Sequence, residues 1–179
     1  MQTSHADEGQ AFLAPDGIEI VPFVLPGLAY LSVVEGRIPP RPEPYPVHMH
    51  GALEQVTYVL AGRITVETWD AVAGQAARFE AVAGDAFLTA PTQTLSYANA
   101  GPETARVLFL CAPAYPSDDA DTCLTGDHHA PTADERAWSR ARHEAALAAF
   151  ADIVATRLRR LTVNGSGGGE REGGASSLQ

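Results

Sequence analysis

The chain has 179 residues, 45% of them apolar, which suits one domain with a buried core. Its formal charge is −10 and all 12 basic residues are arginine, a balance that argues against a nucleic-acid surface, because phosphate binding needs clustered cations. No apolar run reaches the roughly 18–20 residues of a membrane span.

Residues 1–16 read as a flexible arm, polar and acidic at the start, with no signal-peptide pattern. Strands are predicted over 18–24, closed by Leu25-Pro26-Gly27, and over 28–34, ending at Glu35-Gly36. Residues 37–46 hold five prolines (39, 40, 42, 44 and 46), which rule out helix and central strand and predict a stiff extended loop. Short strands follow at 48–50, 55–60 and 63–69, and the last alternates Ile64, Val66 and Thr68 with Thr65, Glu67 and Trp69. Further strands are expected at 77–82, 86–90, 95–98 and 105–112, with turns at Ala83-Gly84-Asp85 and Asn99-Ala100-Gly101-Pro102. Many short strands at this spacing indicate an antiparallel sandwich or barrel.

After Pro113 the pattern changes. Residues 114–131 form an acidic loop, in which His128 and His129 are expected at the surface. Thr132-Ala133-Asp134-Glu135 is a capping box that opens a helix running to residue 162 without Gly or Pro. Trp138, Ala141, Ala145, Leu147, Ala151, Val154, Leu158 and Leu161 form its apolar stripe, expected against the barrel or a second subunit, with His143 on the polar side. Residues 163–179 are Gly/Ser-rich and read as a disordered tail. The plan is thus an arm (1–16), a barrel with its acidic exit loop (17–131), a helix (132–162) and a tail. The two cysteines, Cys111 and Cys123, form no Cys-x-x-Cys pair, and a reduced cytoplasmic protein is the expectation.

The chemistry centres on His48-Met49-His50, followed by Glu54-Gln55. Two residues apart on a strand, both imidazoles point to one face. Paired imidazoles beside a carboxylate or amide suit a divalent transition metal. No phosphate loop, nucleophile elbow or zinc-finger spacing is present.

These residues resemble the first motif of the cupin superfamily, particularly its small single-domain members. That motif runs His-x-His, three or four residues, an acid, six residues, Gly. Here His48, His50 and Gly62 match, while Gln55 stands at the acid position with Glu54 one place early. The second motif is begun by Gly84 and carried on by Pro91 and Asn99, but no histidine lies between them; the ligand place falls on Ser96 or on Leu95, depending on which end is aligned.

The resemblance covers residues 18–115. It implies an all-β fold, a double-stranded β-helix or jelly-roll barrel, to which the long C-terminal α-helix is appended. It also implies one divalent metal (Fe, Mn, Ni or Zn) on His48, His50 and Gln55, with Glu54 as a base or alternative ligand, and a homodimer. The metal would serve as a Lewis acid in isomerase, cyclase, lyase or dioxygenase chemistry on a small oxygen-rich or aromatic molecule. Tyr45, Thr57, Trp69, Ser96 and Tyr97 are the candidate substrate contacts. The alternative is a metal-free cupin that binds or senses a small molecule without catalysis.

Overall fold

The predicted alternation becomes eleven strands and one helix in the computed structural model, which describes residues 4, 9–25, 28, 30–70, 73–115, 120–126 and 129–165, without the side chains of 70 and 160–165. In chain order the strands are β1 (Phe12–Leu13), β2 (Glu19–Pro22), β3 (Ser32–Ile38), β4 (Val47–His50), β5 (Glu54–Ala61) and β6 (Arg63–Asp70). They continue with β7 (Gln75–Val82), β8 (Ala86–Thr89), β9 (Thr94–Ala98), β10 (Ala105–Ala112) and β11 (Thr122–Gly126), and end in α1 (Ala133–Gly165). One sheet has the order β1-β2-β3-β10-β5-β8 and the other β11-β4-β9-β6-β7, every pairing being antiparallel. This is the expected double-layered barrel.

Alternation decides what each strand buries. On β5, Gln55, Thr57 and Val59 are buried, while Glu54, Val56, Tyr58 and Leu60 are exposed. The core between the sheets gathers Ile18, Ile38, Tyr45, Val59, Ile64, Val66, Leu95, Tyr97, Val107 and Phe109. The strand β4 departs from alternation: all four residues are buried, because β11 and β9 flank it and α1 closes over the turn that follows. The outward row Val56, Tyr58 and Leu60, with Leu88 opposite Val56 on β8, is an exposed apolar face.

Three boundaries differ from the sequence reading. The second predicted strand does not stop at Glu35-Gly36 but continues through Gly36 to Ile38. A side chain at 36 would collide with the Phe109 ring, its Cβ meeting Cε2 at 2.3 Å, so this glycine makes room for a core aromatic and does not mark a turn. Residues 12–13 of the predicted arm pair with β2 as Phe12↔Ile20 and Leu13↔Glu19. A third stretch, Thr122–Gly126 inside the predicted acidic loop, pairs with β4 as β11. Most of residues 1–8, the Pro26-Gly27 turn, Asp118, Asp119, Asp127, His128 and residues 166–179 lie outside the described residues.

The helix starts where the capping box placed it. The Thr132 N–H donates to Glu135 Oε2 at 2.6 Å, and the Glu135 N–H donates to Thr132 Oγ1 at 3.2 Å. Its docking face, however, is polar. Ser139 donates to the Gly51 carbonyl (2.7 Å), His143 Nδ1 lies 2.9 Å from the Ala52 carbonyl, and Arg142 pairs with Asp121 (3.2 Å).

The β4–β5 turn leaves carbonyls unpaired, so donors rather than apolar side chains are needed above it. His143 therefore faces the barrel and not the polar side. Of the predicted stripe, Trp138 is half-buried and carries the Arg142 guanidinium 5.2 Å from its ring centroid. Leu147 and Leu158 are 51% and 57% exposed, and Phe150, outside that stripe, meets the Tyr30 ring at 4.0 Å between centroids.

Asp121 locks this arrangement from below. Its carboxylate accepts from the Ala52 N–H at 2.9 and 3.1 Å and from the Leu53 N–H at 3.3 Å, besides pairing with Arg142. Replacing Asp121 with Ala strands two buried amides and a guanidinium, and is expected to lower stability by about 3 kcal/mol. Urea unfolding of Asp121→Ala checks this; a change below ~1 kcal/mol would contradict it.

Candidate functional site: a cavity with two imidazoles on its floor

A cavity of about 240 Å³ opens between the sheets. His48 and His50 come from β4, Gln55 from β5, Tyr97 from β9, and Phe109 and Cys111 from β10. Its walls are apolar, with Ile18, Ile20, Val34 and Phe109 among them. No arginine is among the described residues lining it, and the chain has no lysine.

The floor is a chain of hydrogen bonds. Gln55 Nε2 donates to the Tyr97 hydroxyl oxygen at 3.2 Å and lies 3.5 Å from Thr57 Oγ1. On the other side of the amide, Cys111 Sγ approaches Gln55 Oε1 at 3.6 Å. These partners fix which way the amide faces, and they leave the Tyr97 hydrogen free to point to Thr57 Oγ1 (3.5 Å) or into the cavity. Burial raises the Tyr97 phenol well above its ordinary value, so Tyr97 acts as a neutral donor. Burial also pushes the Cys111 thiol up to about 12, which makes it inert as a nucleophile.

The two imidazoles stand edge to face, ring centroids 5.2 Å apart. His50 is pushed down to about 3, first by burial and then by its neighbour His48, against smaller opposing effects of the Asp121 backbone and the Gln55 side chain. It is therefore neutral across the physiological range, and its buried Nδ1 has no hydrogen-bond partner. His48 Nδ1 lies 3.4 Å from the Pro46 carbonyl and 3.5 Å from Asp16 Oδ2.

Asp16, with side-chain exposure of 6%, was missed by the sequence reading, which placed it at the end of a flexible arm. The signal available was Asp16-Gly17 before an apolar run, a turn that returns the chain to the barrel.

The predicted residues divide between two faces. His48, His50, Gln55 and Tyr97 line the cavity, and Thr57 stands directly behind Tyr97. Glu54 is exposed on the outer face of β5. Ser96 pairs with Glu67 and Leu95 with His48, so Leu95 shares the inward face and Ser96 turns outward with Trp69. Tyr45 is buried in the core, its hydroxyl donating to the Pro39 carbonyl at 3.4 Å. Asn99 is structural: its Nδ2 donates to the carbonyls of Ile38 (2.7 Å) and Glu103 (2.9 Å).

This donor set does not fit a resident divalent metal. Its members would be two neutral imidazoles and an amide, while the carboxylate that lines the cavity, Asp16, is turned to the Ile18 N–H and to His48 Nδ1. The Gln55 amide is committed to Tyr97, Thr57 and Cys111, and Leu95 fills the inward position across from His48. Among the described residues, no three His, Cys, Asp or Glu side chains gather as a metal-holding group. His129, near Glu67 at 3.4 Å, stands apart from the cavity.

The depressed His50 value has a consequence for acid stability. Unfolding returns this group to about 6.5, so the unfolded chain binds the extra proton between the two values and stability falls as pH drops through that window. The contribution is whole above about pH 6.5, and roughly 2–3 kcal/mol of it is lost by pH 4.5. Urea midpoints at neutral and acid pH should therefore fall more steeply for the native protein than for His50→Gln; parallel falls would refute the assignment.

Known proteins point the same way as the fold. The cupin-domain family matches residues 33–111. No curated protein matches the sequence significantly. Among solved structures, the oxalate decarboxylase of Lactobacillus farciminis, in a formate complex, is similar at 19% identity and a TM-score of 0.56, over 68% of this chain but only 35% of that one.

A conserved double-stranded β-helix protein of Klebsiella pneumoniae is similar at 19% identity and a TM-score of 0.51, over 70% of this chain and 93% of that one. A Streptomyces nucleoside dehydratase, solved with uridine, gives 16% identity and a TM-score of 0.53, over 70% and 91%. At these identities the likeness is one of fold. No helix among the described residues is long and apolar enough to cross a membrane. Residues 33–111 match the cupin-domain family, and the chain folds as a double-stranded β-helix.

Proposed function

We propose that this cupin acts on a compact, uncharged molecule with an apolar, ring-like body and a hydroxyl or carbonyl head. The observation that carries the reading is the cavity itself: apolar walls, a floor of His48, His50, Gln55 and Tyr97, and no arginine among the described residues that line it. An anion would enter without a counter-charge and would meet Asp16, which also lines the cavity. Solved structures of this fold include both an oxalate decarboxylase, whose substrate is a dianion, and a dehydratase holding uridine, which is neutral. The fold therefore admits both charge classes, and the apolar lining of this cavity supports the uncharged one.

The chemistry that this floor supports is proton transfer of the isomerase or lyase type. An imidazole accepts a proton from a carbon beside the carbonyl, while the Tyr97 hydroxyl hydrogen-bonds the oxygen on which negative charge develops. Returning the proton to a second carbon completes an isomerisation. Release of a β-hydroxyl as water, protonated by the imidazolium that took the carbon's proton, completes an elimination. Glu54, on the outer face, takes no part.

A resident Fe, Mn, Ni or Zn is the second reading, and one observation favours it: the buried, unpartnered Nδ1 of His50. The uncharged donor set and the Leu95 position weigh against it. Elemental analysis of protein purified without added metal, beside a His48→Ala/His50→Ala variant, distinguishes the two. Well under one equivalent in both is expected. Near-stoichiometric metal in the parent that disappears from the variant would restore the metal reading.

With the same protein, ligand-observed NMR is expected to detect phenol in the cavity and not benzoate, which has a similar ring but carries charge. Tyr97→Phe should weaken the phenol contact by about 1 kcal/mol, a neutral hydrogen bond. Preferential binding of benzoate would overturn the proposal.

A further inference from the structure

The wall of the cavity nearest the N-terminus is a strap outside the two sheets' main strands. Phe12, Ala14, Pro15 and Asp16 all face the cavity from it. The strap is seated at both ends. Gly9 lies so close to β2 that a Cβ there would meet the Pro22 carbonyl oxygen at 2.0 Å. At the other end the chain reverses tightly: the Gly17 N–H donates to the Ala14 carbonyl (2.8 Å), the Ala14 N–H donates to the Ile18 carbonyl (2.9 Å), and Gly17 takes φ 90°. Only glycine adopts that φ readily. The turn aims Asp16 inward, where its two oxygens do different things. Oδ1 accepts from the Ile18 N–H at 3.1 Å, and Oδ2 faces His48 Nδ1 at 3.5 Å.

Both polar neighbours of His48 Nδ1, Asp16 Oδ2 and the Pro46 carbonyl, are acceptors. A ring nitrogen between two acceptors carries the hydrogen. The other nitrogen, Nε2, then presents a lone pair.

We propose that Asp16 is a positioning residue of this site: the strap carries it onto His48, fixes the Nδ1-protonated tautomer, and so selects ligands that donate a hydrogen bond to His48 Nε2. The ligand class narrows accordingly to uncharged hydroxyl donors, namely phenols, enols and alcohols on an apolar ring. An uncharged molecule that can only accept, such as an ether, has one fewer partner on the floor. This deepens the proposed function and rests on it for the ligand class, whereas the tautomer assignment stands on geometry alone.

The test separates the two. Long-range ¹⁵N–¹H correlation spectra of the imidazoles, recorded at one mildly alkaline pH on the full chain, read the tautomer without any ligand. His48 in the native protein is expected with Nδ1 protonated and Nε2 bare. Asp16→Asn keeps an oxygen for the Ile18 N–H, so the turn survives, but its amide can present a donor to Nδ1; the Nε2-protonated form should then appear. A native His48 protonated at Nε2, or a tautomer unmoved in Asp16→Asn, overturns the inference.

Phenol and anisole, titrated in parallel, add the ligand arm. Phenol should bind the native protein at least tenfold more tightly than anisole, with that preference shrinking several-fold in Asp16→Asn. A native protein that binds neither, while the tautomer shifts as expected, refutes the proposed ligand class and leaves the Asp16 assignment supported.

Discussion

Two imidazoles buried side by side on a four-residue strand are the constraint on which this molecule turns. Burial of an unpaired polar nitrogen is unfavourable by about 1–3 kcal/mol, and a charged ring in the same place is worse still. The surroundings answer that problem unequally. His48 has the Pro46 carbonyl and the Asp16 carboxylate beside it, whereas His50 is left with one buried nitrogen unpartnered and is held neutral. A strand that included these residues without a use for them would be more stable with apolar side chains. That unfavourable burial fits the functional role proposed for the pair.

The scaffold around β4 keeps that arrangement rigid. Asp121 ties the β4–β5 turn to α1 through Arg142, and Ser139 and His143 satisfy the carbonyls of the same turn. The helix is thus a polar clamp over the end of the strand that bears the histidines. Across the floor, Gln55 and Tyr97 hold each other in place by hydrogen bonds, and Leu95 occupies the inward position opposite His48. A catalytic or binding constellation needs such support to stay within a fraction of an ångström of its working geometry. Here the support comes from the sheet, the helix and the N-terminal strap together.

Much of this was legible in the chain itself. Alternation on β5 and β6, the glycine and proline turns, and the spacing of His48, His50 and Gly62 point to the barrel and to the face that bears the site. The Thr132–Glu135 capping box locates the helix start. What could not be read locally is what depends on distant partners. Gly36 looks like a turn until Phe109 is placed across from it. The helix stripe looks like the docking face because apolar spacing is visible in sequence, while the turn carbonyls of Gly51 and Ala52 that call for donors are not. Asp16 lies 32 positions before His48, and only the return of the strap along β2 brings them together. Strand parity separated Glu54 from Gln55, but the choice between Leu95 and Ser96 required the β4–β9 register.

In the proposed site an uncharged, hydroxyl-bearing molecule sits on a floor of protein side chains and not on a metal ion. A crystal structure of the protein soaked with phenol tests it most directly. The account predicts the ring among Ile18, Val34 and Phe109, with its oxygen within hydrogen-bonding distance of His48 and Tyr97 and no ion between the imidazoles. Metal density bridging His48 and His50, or a phenol bound only outside the barrel, would contradict it.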